Sequence, residues 1–318
     1  MFNESFKITG LAVAQIFLLA AIGYFLVKKN ILGEDGMNSL SRLVIEITLP
    51  LMIFCQLVKD FRFYLYPDWW VFPLISIVIT IAGLLLGMIF MGLIKGPAHK
   101  LQFLSLVSFQ NAGYLPLALA ASLLSPEKTD TLFIYLFLFL LGFNLVIWSF
   151  GVYLLTFTRT KRFELGSLFS PPVIATLFSL IFIFFGLNKI VPDFIIKPLK
   201  AVGDCTLPLA MLVVGGSLAQ IRLSHIETKG VLLILLAKLV ILPALGLLLI
   251  FKFRPPELIG LLIIIQLAMP PATSLSLIMR HYKKEDLLIS QGVFFGHLIS
   301  IITLPLFLSL YFMIAVIK

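Results

Sequence analysis

Seventeen consecutive residues, Leu11 to Val27, carry no formal charge, and apolar runs of similar length recur along the whole chain. A run of about 17–25 such residues, wound as a helix, crosses the roughly 30 Å hydrocarbon core of a bilayer, and a helix satisfies its own backbone groups in lipid. Reading for such runs places ten helices, near 8–27, 38–58, 70–94, 101–124, 131–157, 170–187, 198–219, 229–251, 257–280 and 287–316. Composition agrees, since a chain of 318 residues that is 60% hydrophobic and 12% charged lies outside the range of soluble domains. The expectation is an all-α, multi-pass protein whose first run is a retained helix and not a cleaved leader.

The net charge of +9 comes from Lys and Arg scattered through short loops, which speaks for topology and against a nucleic-acid partner. Alternate loops hold twelve basic residues on one side, including Lys28, Lys29, Lys95, Lys100, Arg159, Lys161 and Arg162, and ten on the other. Positive charge marks the cytoplasm, so both termini are expected outside a cell (inner) membrane. Cys55 and Cys205 lie in apolar runs with no metal-ligand spacing; they read as small core residues, and no metal site is expected.

The stretch EITLPL at 46–51 returns as DCTLPL at 204–209. TLPL alone is weak evidence, because it occurs again at 303–306 without a nearby acid. Flanking charge carries the argument: Arg42, Glu46, Thr48 and Pro50 map at a constant shift of 158 onto Lys200, Asp204, Thr206 and Pro208. This is an internal duplication of a five-helix unit. Five is odd, so the second copy enters the bilayer from the opposite side, the inverted-repeat plan of many secondary transporters. The domains follow as 1–157, a connecting loop at 158–169, and 170–318.

Chemistry sits at three places. Pro50 and Pro208 each remove a backbone hydrogen bond, so both helices are expected to bend there. Beside them, Arg42 with Glu46 and Lys200 with Asp204 stand at i, i+4; they read either as interfacial ion pairs or as acids that titrate during transport. Next, SFQNAGYLPLALA at 108–120 places Gln110, Asn111, Gly113 and Pro116 inside one apolar run, and IIIQLAMPPATSLSL at 263–277 places Gln266, Pro270, Pro271, Thr273 and Ser274 inside its counterpart. Gly and paired Pro disfavour continuous helix, and matching broken segments are the best sequence pointer to a transporter site. A half-helix restarting after each break offers free N–H groups and a positive dipole end to an anion. The amides of Asn111 and Gln266 and the hydroxyls of Thr273 and Ser274 add donors, so a carboxylate is the natural guest, although polar residues also join helices structurally in lipid. Third, Lys238 lies deep in its run, where it either neutralises an anion, pairs with Glu46 or Asp204, or snorkels to the interface. His297 and Asn144 read as satisfied interior residues.

Taken together, LP in the second and seventh runs, the Asn-bearing, Pro-broken fourth run and AMPPA in the ninth resemble the auxin efflux carrier family, over essentially the whole chain. The resemblance implies a secondary carrier related in fold to bile acid sodium symporters. Helices 1, 2, 6 and 7 would form a scaffold, and helices 3–5 and 8–10 a transport domain in which helices 4 and 9 cross at the midplane. It implies an organic anion held near Asn111, Pro116, Pro270 and Pro271, elevator-like alternating access, and a homodimer. The short central loop resembles the bacterial branch, whose members are assigned to malonate or malate rather than auxin. Leu267 and Met269 stand where a second crossover asparagine would be expected. No cofactor is expected beyond a coupling H+ or Na+, for which Glu46, Asp204 and Gln266 are candidates. An intramembrane aspartyl protease, suggested by Gly203-Asp204 and Pro243-Ala244-Leu245, would need a second aspartate that no upstream run supplies; the chain is not expected to be an enzyme. The remaining alternative is a transporter-like receptor or sensor of a small ligand.

Overall fold

The computed structural model describes residues 2–156, 169–221, 223, 226–282 and 287–316, and its regular elements are all helical. Most of the expected connecting loop at 158–169 lies outside the described residues, as do several of the basic residues counted for topology. Helix α1 spans Phe2–Lys28, starting earlier than the apolar run because the polar residues before Ile8 extend it by a turn and a half. Helices α2 (Glu34–Leu43) and α3 (Leu49–Asp60) are joined by a π-helical turn, and α4 covers Val71–Phe90. The fourth run divides into α5 (Pro97–Ser108) and α6 (Tyr114–Leu123). The fifth is α7 (Pro126–Val146), a π turn and α8 (Val152–Thr156). In the second half follow α9 (Pro171–Phe184), α10 (Asp193–Asp204), α11 (Thr206–Ala219), α12 (Thr228–Leu236), a π turn, α13 (Leu242–Phe253), α14 (Glu257–Ala268), α15 (Ser274–His281) and α16 (Leu287–Val316).

Among the described residues, seven helical stretches are long and apolar enough to cross a membrane: 2–28, 34–60, 71–93, 126–156, 193–219, 228–253 and 287–315. Three of the ten expected runs are represented by shorter apolar helices, α6, α9 and α14. At 1.5 Å per residue, 10–14 residues reach only about 15–21 Å.

Prolines shape the long helices. Pro50 and Pro243 each follow a π turn, Val44–Thr48 and Ala237–Ile241. A proline has no N–H for the carbonyl four residues back, so the preceding turn widens and stays wound. Before Pro208 the same deficit interrupts the helix at Cys205, between α10 and α11. Cys205 is exposed there and is not the core residue its apolar surroundings suggest; Cys55 is buried.

Large apolar side chains cover the outside as well as the inside. Ile8, Leu11, Leu18, Ile22 and Phe25 on α1, and Leu74, Val78, Ile81 and Leu85 on α4, are exposed. A helix apolar all round belongs in lipid. With no hydrophobic drive between helices there, close backbone approach takes over. On α1, Gly23 faces the Leu212 carbonyl of α11, while on α11 Gly215 faces the Ala20 carbonyl of α1. Glycine is required at both, since a Cβ at Gly215 would stand 1.7 Å from that oxygen. On α7, Gly142 meets the Pro73 carbonyl of α4 in the same way.

Candidate functional site

The helix stops at Ser108 and restarts at Tyr114, and stops again at Ala268 and restarts at Ser274. The two unwound segments lie against each other in antiparallel pairing. Asn111 N–H donates to the Pro270 carbonyl at 2.8 Å, and Ala272 N–H donates to the Phe109 carbonyl at 3.0 Å. Pairing supplies partners for backbone groups that helix breaking would otherwise strand in an apolar interior. Side chains lock it further: Gln110 Nε2 donates to Gln266 Oε1 at 3.4 Å, and Gln266 Nε2 donates to the Ala112 carbonyl at 3.0 Å. Glycine again sets the fit, because Gly296 on α16 lies against the rings of Pro270 and Pro271.

Beside this crossing lies a cavity of about 240 Å³. Its floor is the crossing itself, Gln110, Asn111, Ala112, Gly113, Tyr114, Ala272, Thr273 and Ser274. One wall is apolar and aromatic, with Leu140, Phe143, Ile147 and Trp148, and Asn144 is set among them. Its lining also runs along Asn38 and Ser41 of α2 and Ser217 of α11 to Gln220 and Ile221, just beyond the end of α11, and takes in Val293 of α16. No Lys, Arg, His, Asp or Glu is among the lining residues described. The helices α6 and α15 both begin at the floor, at Tyr114 and Ser274, so the N–H groups of two first turns start there, apart from Pro116, which has none, and Leu275, whose N–H donates to the Ala272 carbonyl.

Of the residues expected to bind substrate, Asn111, Gly113 and Thr273 line the cavity, as does Ser274. Pro116, Pro270, Pro271 and Gln266 do not line it; they are the framework of the crossing. Gln266 is fully buried and its amide is engaged by Gln110 and Ala112. Asn144, read as an interior residue, is instead part of the wall. Tyr114, Phe143, Trp148, Ser217 and Gln220 had no sequence signal, since an aromatic or small polar residue near a helix end is ordinary until neighbouring helices enclose it.

The acids lie elsewhere. Arg42 Nε meets Glu46 Oε1 at 3.0 Å, and Lys200 Nζ meets Asp204 Oδ2 at 2.7 Å. All four side chains are about half exposed or more on the single chain, which is the ion-pair geometry of the two readings. Neither acid pairs with Lys238, whose nitrogen is buried with no hydrogen-bond partner among the described residues, on the π turn before Pro243. Exposed pairs of this type contribute little. Glu46→Gln and Asp204→Asn are therefore expected to leave solute uptake within about twofold of wild type; a loss of gradient-driven uptake in either variant would return the acids to the transport chemistry. Pro50 and Pro208 sit one turn from the pairs, and the hydroxyls of Thr48 and Thr206 beside them are buried without partners among the described residues.

The profile of a family described as "Membrane transport protein" matches residues 10–308. The chain belongs to this family, the auxin efflux carriers. Among auxin efflux carrier relatives, PIN-LIKES 1 of Arabidopsis thaliana is 21% identical over 95% of this chain and 78% of its own length. An uncharacterized transporter of Methanocaldococcus jannaschii is 25% identical over 92% of this chain and 96% of its own. PIN-LIKES 6 of Arabidopsis thaliana is 30% identical, but the match spans 37% of this chain and 28% of that protein. Membership makes the chain a multi-pass membrane transport protein, consistent with the outward apolar faces of α1 and α4.

Proposed function

We propose that this auxin efflux carrier relative is a secondary carrier of small organic anions that bear one carboxylate on an apolar body. The observation that carries the reading is the cavity floor, where two helices begin beside Asn111, Gly113, Thr273 and Ser274. Free N–H groups and the positive ends of two helix dipoles suit a single anionic group. The wall of Phe143, Ile147 and Trp148 suits an apolar or aromatic remainder. A dicarboxylate such as malonate or malate would place its second charge in a lining without a cation, at a desolvation cost that neutral amides do not offset.

The carrier would consist of ten spans in two inverted five-helix repeats, the short and broken helices completing the seven long ones. Helices 1, 2, 6 and 7 would form the scaffold, and the rest a transport domain that carries the crossing between the two sides in an elevator-like manner. The cavity lining reaches the helix ends beside Lys28 and Lys29, the side richer in positive charge, which supports an inward-facing state with both termini outside the inner membrane. Toward the other end, Phe61 stacks on Tyr66 and Phe72 on Tyr135, which supports closure there. Two copies in the bilayer, and coupling to H+ or Na+, belong to the same reading. For export, an inside-negative potential favours the anion by about 2.3 kcal/mol per charge per 100 mV.

Uptake of radiolabelled benzoate, indole-3-acetate, malonate and malate into proteoliposomes tests this. Saturable, mutually competing uptake of the monocarboxylates is expected, with the dicarboxylates weaker by about tenfold or more. A preference for malonate would overturn the neutral-pocket argument. Acid binding without any movement across the membrane would identify a sensor instead of a carrier.

A further inference from the structure

Behind the cavity floor lies a histidine that the wall itself does not contain. His297 is fully buried on α16, one turn after Val293, which lines the cavity. Its Nδ1 is 2.8 Å from the Val293 carbonyl and its Nε2 is 3.4 Å from Asn111 Nδ2. A carbonyl only accepts, so Nδ1 carries the hydrogen and Nε2 accepts from the Asn111 amide. Asn111 is thus left with one amide hydrogen and its Oδ1 for the cavity, a mixed face for a carboxylate that needs donors alone.

We propose that His297 and Asn111 form a proton-linked anion subsite, in which a carboxylate in the cavity and a proton on His297 bind together. The inference rests on the anion reading above. One proton adds to the Nε2 lone pair and no other covalent bond changes. The Asn111 amide then turns over, so that Oδ1 accepts from the new N–H and both Nδ2 hydrogens face the carboxylate. Each partner alone is costly, because an imidazolium in an apolar interior lacks a counter-charge and a carboxylate facing Oδ1 meets a like partial charge. Bound together they compensate across a single amide, and the coupling is reciprocal.

Other charges around α16 do not serve this role. The titratable groups on the helices packed against it are Glu4, Lys7, Tyr24 and Lys28 on α1, His99 and Lys100 on α5, Lys229 on α12, Lys238 on the following π turn, Lys252 on α13 and Glu257 on α14. The side chains of Arg280 and His281 on α15 lie outside the described residues. Tyr311, on α16 itself, is bonded to the Glu257 carbonyl, and Glu257 is half exposed and paired with Lys128. Among these groups Lys238 is buried, and an amine, which is never anionic, supplies no counter-charge to an imidazolium.

The experiment uses the full chain in detergent with benzoate as probe, between about pH 6 and 8, where benzoate stays ionised. Benzoate affinity is expected to rise by up to about tenfold per unit fall in pH. Addition of benzoate to weakly buffered protein should take up as much as about one proton per chain, read with a pH dye. His297→Gln keeps an amide beside Asn111 but cannot titrate, and should bind benzoate with a flat pH profile and no proton uptake, whereas Lys238→Met should retain both. A pH-independent affinity in the wild-type protein overturns the subsite and leaves the anion reading intact. An unchanged slope in His297→Gln, or its loss in Lys238→Met alone, does the same. Absence of benzoate binding at every pH removes the subsite and the anion reading together.

Discussion

Asn111→Leu is expected to reduce monocarboxylate affinity by roughly 10- to 150-fold, the equivalent of about 1.5–3 kcal/mol for a hydrogen bond to a charged group. The substitution keeps the branching and heavy-atom count of the side chain, with two methyl groups in place of the amide, and removes the cavity-lining amide that contacts His297 of α16. The backbone pairing at this position survives, because Asn111 donates to Pro270 through its main-chain N–H. Loss of binding in a protein with wild-type melting behaviour would therefore report on the site. Scintillation proximity binding of labelled benzoate, beside a melting curve in detergent, separates the two. Wild-type affinity in the variant would move the anion away from the crossing and end the carrier reading in the form given above.

The largest loss of stability is expected at Gly215→Val. A Cβ at this position would stand 1.7 Å from the Ala20 carbonyl oxygen and 2.5 Å from its carbon. Both contacts are to main chain, so no rotamer change relieves them, and α1 must move away from α11 along a contact that Gly23 and Leu212 repeat from the other side. Such a displacement places the cost among the exceptional substitutions, about 4–5 kcal/mol or more. Most of the chain should be lost to aggregation on extraction, and any recovered protein should melt far below wild type in fluorescence-detected size exclusion. Gly10→Val on α1, the facing helix, is the control. Nothing lies within 4 Å of a Cβ there, and valine in place of glycine costs no helix propensity. Equal melting of the two variants would show that the α1–α11 contact is not what holds the bundle.

How much of this was legible beforehand depended on the range of the interaction. Apolar length is local and survives any packing, so the helical, membrane-embedded class followed from runs such as 11–27. Backbone breakage is equally local: the Gly113 and Pro270-Pro271 positions announce unwinding wherever they are placed. The auxin efflux carrier resemblance read from LP, Asn111 and AMPPA is shown by the family match over residues 10–308. Charge pairs at i, i+4 are also a property of one helix, and Arg42–Glu46 and Lys200–Asp204 form as that spacing allows.

Packing decided the rest. Gln266 and Thr273 are both polar residues beside a break, and only the antiparallel crossing turns the first inward to lock Gln110 and leaves the second at the cavity floor. Asn144 and His297 looked alike as lone polar residues; the neighbouring helices make one a wall residue and bring the other to within 3.4 Å of Asn111. Cys55 and Cys205 occupy similar sequence surroundings, yet one is buried and the other exposed. By itself, then, the sequence determined which segments are helical and apolar and where their backbones break, because those follow from covalent geometry and burial in lipid. Only the tertiary structure decided which side chains converge on the cavity, because convergence depends on the relative rotation of helices distant in the chain, and no local rule encodes that.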